Sequence, residues 1–384
     1  MKIVVFHNLP AGGAKRSLDQ WLSFIKKNNS IDFYGYNDLS SEFCNIDQYF
    51  DNNFKLYKNP KKGIGILNKI LALTKSEYYS YKISKIINSK KYDLAFVLQC
   101  EITNSPPILR KLKVKKYYYC QEPLTRMKEP HYHSGNGKKI TSFLSKILVN
   151  FLVMYDKLNA SYADVILTNS YYSKEVIYKA YGIYPKLIYL GVNAEIFKEF
   201  PNNTKSIDYV LSVGHLNSAK GHDFIIESLS FIEQNLRPTL KIVYNIENLI
   251  YKSFLINFAK DKGVRLILIK SPSDSELINI YNNAYLLLCA ARLEPLGLSP
   301  LEAMSCGTPV VSVAEAGYRE TIIEGEGGVL VERIPKEMAT AVVRLLSNRN
   351  EYLLLKSKCR KYVINNWLWE YSSDELAKQF EFIC

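Results

Sequence analysis

EPLGLSPLEAMSCGTPVV, residues 294–311, carries two carboxylates, Glu294 and Glu302, eight positions apart around the expected start of a helix. The apolar run of residues 285–291 before it predicts a buried strand, and residues 292–297 have the proline and glycine of a loop. Residues 300–306 have helical composition, with a proline at a favourable first-turn position. We therefore expect a strand–loop–helix unit with Glu294 in the loop and Glu302 in the first turns of the helix.

The start of this helix is expected to bind phosphate, because its first N–H groups have no helical partner and the helix dipole attracts anions there. Two carboxylates beside a phosphate would repel it unless they accept hydrogen bonds from hydroxyl groups. We therefore expect Glu302 to accept hydrogen bonds from a ribose and Glu294 from a sugar ring, so the pattern predicts a nucleotide-sugar site. The residues expected to hold the diphosphate between them are Leu296, Gly297, Leu298 and Ser299.

The length of 384 residues predicts two domains of ordinary size. Short apolar runs alternate with longer mixed segments, which is typical of α/β domains with doubly wound parallel sheets. Polar, turn-rich residues 201–206 predict the boundary between them. The expected strands are residues 3–6, 94–98, 117–120, 165–167 and 187–189 in the first domain, and 210–213, 240–243, 265–269, 285–289, 310–313 and 328–331 in the second.

The formal charge of +13 is unevenly distributed along the chain. Residues 1–197 contain 29 lysines and arginines against 15 acids, whereas residues 198–384 contain 21 against 22. Residues 55–91 alone hold ten lysines and a single acid, Glu77, which predicts an anionic partner. No zinc-finger spacing, RNP-like motif or basic heptad helix is present, so we expect no nucleic acid. An anionic membrane surface is favoured, with a merely solvated lysine face as the alternative.

The opening residues MKIVVFHNLP lack the pattern of a signal peptide, and no apolar run reaches the roughly 18 to 20 residues that cross a bilayer. We therefore expect a cytoplasmic protein, peripheral on the inner face of the plasma membrane if the basic half docks there. The seven cysteines are odd in number and scattered, which predicts reduced thiols.

Two further loops follow expected strands, where ligands of open α/β sheets bind. In HNLPAGGAKRSL, residues 7–18, Gly12 and Gly13 allow close approach of the backbone to a phosphate or an acceptor. In VGHLNSAKGHDFIIESL, residues 213–229, Lys220 follows a strand and precedes a helix, so it can reach a diphosphate as a point charge.

A third loop lies in YYYCQEPLTRMKEPHYH, residues 117–133. Gln121 can bond to a sugar hydroxyl, Glu122 is the alternative acceptor-side carboxylate, and Arg126 is a candidate phosphate contact. His131 and His133 have the spacing of a metal pair on a strand. Because the sequence shows no clustered third ligand, we expect no metal site.

These motifs resemble family 4 of the retaining glycosyltransferases, the glycosyl transferases group 1. Residues 163–177, 180–197 and 316–322 extend the resemblance. It implies the GT-B fold, in which two Rossmann-like doubly wound domains face each other across a cleft. The implied domains are an acceptor-side domain of residues 1–200, a nucleotide-sugar domain of residues 201–364, and a closing helix of residues 365–384 that crosses back to the first domain.

The resemblance implies catalytic roles for Lys220 and Glu294, and it shows two departures. His215 stands directly after Gly214, where the family usually has arginine. An adjacent diphosphate favours the protonated imidazole, and we hypothesise that His215 then partly replaces that cation. Gln121 stands where many relatives have histidine. Retaining transfer in this fold is thought to need no general base from the protein, which makes the loss of that histidine tolerable.

The expected function is that of a retaining, metal-independent hexosyltransferase with no cofactor besides its nucleoside-diphosphate sugar. The expected acceptor is a hydroxyl of a lipid-linked or surface-polysaccharide intermediate, as in lipopolysaccharide assembly. Two alternatives remain open. One is a sugar-nucleotide epimerase or hydrolase of the same fold, and the other is a non-catalytic nucleotide-sugar-binding partner of a glycosyltransferase complex.

Overall fold

The computed structural model describes residues 1–9, 12–37, 45–60, 66–125, 143–201 and 208–381. These residues form two compact units. Unit 1 contains the described residues up to Tyr189 together with those from Trp369 onward, and unit 2 contains the described residues of Leu190–Leu368.

Unit 1 is built on a sheet that has seven parallel strands within the described residues, in the order β3-β2-β1-β4-β5-β6-β7. Apolar runs such as that of β4 are buried on both faces, as expected for central parallel strands. The strands are β1 (Lys2–Asn8), β2 (Ser30–Asn37), β3 (Asn52–Lys58), β4 (Leu94–Cys100), β5 (Lys115–Tyr119), β6 (Val165–Thr168) and β7 (Lys186–Leu187).

Helices connect these strands, and the last helix of the chain also packs on unit 1. Trp21 donates from Nε1 to Oγ of Ser372 at 2.9 Å, and the ring of Phe380 packs edge-on against those of Phe96 and Tyr117. The helices of unit 1 are α1 (Gly13–Ile25), α2 (Ile66–Asn88), α3 (Phe143–Ala160), α4 (Tyr171–Tyr181) and, after the helices of unit 2, α12 (Trp369–Glu381).

Unit 2 repeats this architecture with a sheet that has six parallel strands in the described part of the chain, in the order β10-β9-β8-β11-β12-β13. Its strands are β8 (Tyr209–Val213), β9 (Thr239–Tyr244), β10 (Leu266–Lys270), β11 (Leu287–Cys289), β12 (Val310–Val313) and β13 (Gly328–Val331). Its helices are α5 (His222–Ser230), α6 (Leu249–Asp261), α7 (Asp274–Asn283), α8 (Leu298–Ser305), α9 (Tyr318–Thr321), α10 (Pro335–Ser347) and α11 (Arg349–Asn366).

The boundary between the units lies after Tyr189 and not at residue 200, where the polar linker suggested it. Residues 190–201 belong to unit 2 because their backbone is bonded to its helices. Val192 donates its N–H to the carbonyl of Trp367 at 2.8 Å, and the carbonyl of Phe197 accepts from Oγ of Ser305. The return to unit 1 begins at Trp369 and not at residue 365, since α11 runs to Asn366.

The predicted α/β class with two doubly wound parallel sheets is confirmed. The apolar runs located most strands correctly, but β2 and β3 were not predicted. The predicted strand at residues 187–189 is only the two-residue β7. Within the described residues, no helix is both long enough and apolar enough to span a bilayer.

Candidate functional site

The strand order of unit 2 reverses between β8 and β11, which are neighbours in the sheet. The chain leaves these two strands in opposite directions, so a crevice forms at their carboxyl ends, where open α/β sheets bind ligands. Lys220 lies in the connection that follows β8, and Glu294 lies in the connection that follows β11. The topology therefore brings together two predicted site residues that are 74 positions apart in the chain.

Lys220 and Glu294 form an ion pair in which Nζ lies 2.6 Å from Oε2. Their side chains are 31% and 19% exposed, so the pair lies at the surface of the crevice and is partly shielded from water. The ammonium of Lys220 and the carboxylate of Glu294 are within hydrogen-bond distance. The arrangement offers a cation for phosphate oxygens and a strong acceptor for hydroxyl groups at one place.

Glycines hold the Lys220 loop close to the end of β11. Gly221 has φ of +67°, and a Cβ there would lie 2.0 Å from the carbonyl oxygen of Ala290, so a side chain would force the two segments apart. The N–H of Arg292 donates to the carbonyl of Ala219 at 2.7 Å and joins the same segments. A Cβ on Gly214 would lie 3.3 Å from the stem of Lys220, so the glycine leaves room for that stem.

Helix α8 begins at the same edge of the sheet, two residues before its predicted start. Gly297 is its N-cap with φ of +92°, and no described side chain caps the helix. The N–H groups of its first turn, which include those of Leu298 and Ser299, have no partner within the helix. A Cβ on Gly297 would lie 2.7 Å from Cε1 of Tyr318, so close packing also requires glycine here. The helix therefore begins beside Gly297, and Leu296 just before it is buried.

The motif of residues 316–322 supports the Glu294 loop from behind. The N–H of Gly317 donates to the carbonyl of Glu294 at 2.9 Å. A Cβ on Gly317 would lie 2.3 Å from the carbonyl oxygen of Pro295, so only glycine allows this approach. The motif therefore fixes the backbone from which the Glu294 carboxylate projects.

Glu302 has a partner that the sequence did not reveal. Its Oε2 accepts a hydrogen bond from the hydroxyl of Tyr281 at 2.7 Å. Burial, and then the nearby Glu302, raise the pKa of Tyr281 well above its usual value, so the phenol stays protonated and donates. Tyr281 thereby orients the carboxylate, which still has acceptor capacity for a hydroxyl group.

His215 follows Gly214, and its pKa depends on burial and on the nearby Lys220–Glu294 pair. Burial, and then the ammonium of Lys220, lower the pKa of His215 below the ordinary 6.5, and the carboxylate of Glu294 offsets this only in part. The imidazole is therefore neutral near pH 7, because both dominant influences disfavour the cation. A protonated His215 would need a further anion close to it.

His222 at the start of α5 is a fully buried histidine of the same segment. Its Nδ1 lies 3.1 Å from Oγ of Ser212, and its Nε2 lies 3.2 Å from the carbonyl of His215. Burial lowers the pKa of His222 to about 4, so the ring is neutral and its Nε2 hydrogen points at the carbonyl oxygen. The ring fastens the residues before Lys220 to the first turn of α5.

Arg333, just after β13, is a structural cation that the sequence reading missed. Its guanidinium forms a bidentate ion pair with Glu315, at 2.5 and 2.6 Å. It also donates to the carbonyls of Ala290 and Ala291, at 3.0 and 3.1 Å. Arg333 therefore ties the segments after three neighbouring strands together beneath the Glu294 loop. Its position directly after a predicted strand was the signal that could have identified it.

The predicted residues of unit 1 lie at the corresponding edge of the other sheet. Gly12 is the N-cap of α1 with φ of +152°, and Gly13 is the first residue of that helix. The carbonyl of Gly12 accepts from the N–H groups of Lys15 and Arg16, both at 3.1 Å. The glycine pair therefore forms the helix start that follows β1, as expected.

Backbone contacts hold Gln121 and Glu122 after β5. The N–H of Gln121 donates to Oε1 of Gln99 at 3.2 Å. The carbonyl of Glu122 accepts from Nε2 of Gln99 at 2.8 Å and from Nδ2 of Asn104 at 3.1 Å. Asn104 has φ of +61°, a backbone conformation that residues other than glycine rarely adopt. Two amide side chains thus set the position of this loop.

A buried carboxylate on α3 anchors the same loops. Asp156 accepts from the N–H groups of Ser105 and Leu124, both at 2.9 Å, from the hydroxyl of Tyr181 at 2.7 Å, and from Asn104 at 3.2 Å. Burial raises the pKa of Asp156, and the hydrogen bonds that it accepts oppose this. Asp156 is the only acid of the long apolar helix α3, and this isolated charge is the sequence signal that could have identified it.

The structure thus places Lys220, Glu294 and Glu302 in unit 2, whereas Gly12, Gly13, Gln121 and Glu122 lie in unit 1. Arg126, His131 and His133 lie outside the described residues. Within the described residues, no group of three or more histidine, cysteine, aspartate or glutamate side chains is placed to hold a metal ion. The five cysteines among these residues are buried free thiols.

Two parallel sheets of Rossmann type, each flanked by helices, define the GT-B class of α/β proteins. The solved structure of Anabaena HepE in complex with UDP and glucose superimposes with a TM-score of 0.76 at 17% identity, covering 99% of each chain. At this identity the likeness concerns the fold.

The model of the family "Glycosyl transferases group 1" matches residues 193–365, so this part of the chain is similar to that family. A probable sucrose-phosphate synthase of Thermosipho melanesiensis is 26% identical over 245 residues, which cover 59% of this chain and 56% of that protein. A GDP-mannose-dependent phosphatidylinositol monomannoside mannosyltransferase of Mycolicibacterium smegmatis is 25% identical over 237 residues, covering 56% and 62%. The chain thus aligns with little more than half the length of these curated relatives. The predicted resemblance to the family is confirmed.

Proposed function

We propose that this protein is a retaining glycosyltransferase that moves a hexose from a nucleoside diphosphate to the hydroxyl group of an acceptor, without a metal ion. The observation that carries the proposal is the Lys220–Glu294 pair, 2.6 Å apart, at the reversal of strand order in unit 2. This pair lies within the segment that the family model matches. It combines the cation that a diphosphate needs with the acceptor that a sugar hydroxyl needs.

The transfer reaction exchanges one bond of the anomeric carbon for another and leaves negative charge on the diphosphate. Transfer breaks the bond between the anomeric carbon and the phosphate oxygen, and it forms a new bond to the acceptor oxygen. The acceptor proton goes to the leaving phosphate oxygen, so no protein base is required. Negative charge develops on the diphosphate, and Lys220 with the first N–H groups of α8 is placed to stabilise it.

The two carboxylates would position the donor. Glu294 would accept hydrogen bonds from the sugar ring, and Glu302 would accept them from the ribose. The hydroxyl of Tyr281 already holds Glu302 in one orientation, which lowers the entropic cost of ribose binding. Gln121 and Glu122 would contact the acceptor from unit 1, and their backbone is fixed for that task by Gln99 and Asn104.

We further propose that the acceptor is a lipid-linked or surface-polysaccharide intermediate and that unit 1 meets an anionic membrane surface. The excess of 14 positive charges in residues 1–197, from 29 against 15, supports this. The relative from Mycolicibacterium smegmatis, which is named a phosphatidylinositol monomannoside mannosyltransferase, supports a lipid-linked acceptor. The HepE structure in complex with UDP and glucose supports a nucleotide sugar as donor.

The first test is thermal stabilisation by a panel of UDP-, GDP-, ADP- and CDP-sugars. A ligand at 100 times its dissociation constant adds about 2.7 kcal/mol to the stability of the state that binds it. We expect one nucleotide to stabilise the protein selectively, with the effect lost in Lys220→Ala and kept in Lys260→Ala. Lys260 is an exposed lysine of α6 and serves as the matched control.

The second test follows the selected donor over time by NMR, with chelator present throughout. We expect an acceptor-dependent product with the anomeric configuration of the donor. Conversion of the donor without any acceptor would indicate an epimerase or a hydrolase instead. Stabilisation by a donor without any turnover would indicate a non-catalytic binding partner.

A further inference from the structure

Helices α2 and α3 of unit 1 expose apolar side chains at helical spacing. On α2, Ile70 and Tyr78 are 46% and 54% exposed, and on α3, Ile147, Phe151 and Met154 are 49%, 52% and 71% exposed. Positions three and four apart lie on one face of a helix, so each helix presents an apolar stripe. Contiguous exposed apolar surface of this kind marks an interaction site.

The two stripes border one groove. Its volume is about 920 Å³, and its lining includes Ile70, Leu73 and Tyr78 of α2 and Ile147, Leu148 and Phe151 of α3. This volume lies within the range of sites that hold small ligands.

The floor of the groove is a packed part of unit 1. Ala72 and Leu73 of α2 belong to a buried cluster against which Leu152 and Tyr155 of α3 pack. The hydroxyl of Tyr155 also donates to Glu77, which joins the two helices directly. The groove is therefore built into the fold, and its apolar walls are available without unfolding either helix.

Positive charge borders the groove on the side of α2. Helix α2 contains four lysines and one acid, Glu77, and helix α3 contains two lysines and one acid, Asp156. Neither acid offsets the lysines, because Asp156 is buried and Glu77 is paired with Arg110 and Lys111. Lys82 and Lys85 are exposed and lie over the rings of Tyr78 and Tyr81, at 5.6 and 4.6 Å from the ring centroids.

We propose that the α2–α3 face docks on an anionic phospholipid bilayer, with the groove taking acyl-chain surface and the lysines contacting head groups. An apolar stripe with a cationic border fits the interface of such a bilayer, where apolar side chains enter the acyl region and lysines meet anionic lipids. This inference rests on the proposed membrane partner of unit 1 and is independent of the proposed sugar transfer.

The experiment measures binding of the full chain to vesicles by flotation. The probes are vesicles of equal parts phosphatidylglycerol and phosphatidylcholine, and vesicles of phosphatidylcholine alone. We expect binding to the first and at least tenfold weaker binding to the second. We also expect binding to weaken in high salt, since salt screens the lysines.

Two double variants divide the apolar and the charged contributions. Ile70→Gln with Phe151→Gln should reduce binding to anionic vesicles at least tenfold, because both side chains line the groove and are exposed. Lys82→Gln with Lys85→Gln should reduce it by roughly thirtyfold, since each lysine near an anionic surface contributes about fivefold. Circular dichroism and the midpoint of thermal unfolding report whether each variant still folds.

The matched control is Ile250→Gln with Phe254→Gln on α6 of unit 2, whose side chains are 74% and 46% exposed. We expect its vesicle binding to equal that of the parent. Equal losses in the control and in the groove variant would overturn the assignment to the α2–α3 face while leaving a membrane partner in place.

Three other results would also overturn the inference. Absence of vesicle binding by the folded parent would remove the membrane partner itself. Groove variants that bind vesicles as the parent does would place the contact elsewhere. A parent that self-associates in sedimentation velocity, ignores vesicles and becomes monomeric in the groove variant would make a second copy the occupant. Donor stabilisation, measured in parallel, tests the proposed transferase separately.

Discussion

The carboxyl ends of β8 and β11 in unit 2 and those of β1 and β4 in unit 1 occupy equivalent places, because both sheets reverse their strand order there. The side chains at the two places differ. In unit 2 a partly exposed ion pair, Lys220 with Glu294, lies at the reversal. In unit 1 amide side chains and the buried carboxylate of Asp156 hold the loops.

The difference shows that topology provides the loops while local charge decides what they can do. A partly exposed pair can exchange one partner for a charged ligand at small cost, because water screens the charges. A buried carboxylate with four donors cannot exchange partners without leaving polar groups unsatisfied. We therefore expect substitutions in unit 2 to change binding and catalysis, and substitutions around Asp156 to change the position and stability of loops.

The largest effect is expected for Lys220→Ala. Loss of a charged hydrogen bond should weaken binding of the nucleotide sugar by about 1.5 to 3 kcal/mol, and it should lower turnover further, because charge on the diphosphate grows in the transition state. Calorimetry and steady-state kinetics would measure both, with Lys260→Ala as the control. Unchanged kinetics in Lys220→Ala would contradict the expectation that substitutions in unit 2 change binding and catalysis.

The second prediction concerns pH and the buried His222. Its pKa is about 4 in the folded protein and 6.5 when unperturbed, so the unfolded chain takes up the proton first as the pH falls. The stability that the neutral ring of His222 gives the folded protein is complete above pH 6.5. It should be lost progressively as the pH falls toward 4, by about 3 kcal/mol in total.

Denaturant unfolding of unit 2 at several pH values between 7 and 4 would measure this loss. His222→Gln removes the titrating ring, so its free energy of unfolding should fall by about 3 kcal/mol less across the same interval. Identical pH profiles for the parent and the variant would show that His222 is not the group responsible.

The third prediction is that Asp156→Asn destabilises unit 1 by about 2 kcal/mol, because one of its oxygens becomes a donor that faces other donors. Acceptor-dependent turnover should fall as the loops of Asn104 and Leu124 shift, while affinity for the nucleotide sugar stays within twofold. Asp164→Asn is the matched control on unit 1, since its side chain is 43% exposed and it pairs with Lys116 at 2.9 Å. Weakened donor binding in Asp156→Asn would contradict the assignment of Asp156 to loop position alone.

The smallest effect is expected for His215. Its lowered pKa leaves it neutral near pH 7, but a bound diphosphate would raise that pKa. Affinity for a nucleotide sugar should then rise a few-fold as the pH falls through the pKa that His215 has in the complex. It should level off below the pKa that His215 has in the free protein. His215→Arg carries a permanent charge and should flatten the profile. Calorimetry between pH 5 and 8 decides, and a flat profile in the parent would reject a role for the protonated ring.

Much of the fold was predictable because central parallel strands are continuous apolar runs. β2 escaped prediction because Asp32 interrupts it. That carboxylate is buried and accepts hydrogen bonds from Nδ2 of Asn52 and from the hydroxyl of Tyr92, both at 2.7 Å. Asn52 and Tyr92 come from distant parts of the chain, so only the folded state supplies the partners that make a buried acid tolerable. β3 escaped because it is an edge strand with a partly exposed, polar sequence.

The candidate site was predictable where motif and topology coincide. Lys220, Glu294 and the glycines beside them follow strands that the apolar pattern located, and strand-following loops meet at one edge of a sheet. Tyr281 and Asp156 were missed because each acts through a contact between elements far apart in sequence. The lowered pKa of His215 was not predicted, because burial is a property of the fold.

The sequence by itself determined the two doubly wound sheets, the resemblance to the family and the set of polar residues at the strand ends, because apolar periodicity and glycine positions are local properties of the chain. Tertiary structure decided which of these residues touch. It paired Lys220 with Glu294, oriented Glu302 through Tyr281, lowered the pKa of His215 and left a groove between α2 and α3. Distances and burial depend on how separate segments pack, and the free energy of a charge depends on both.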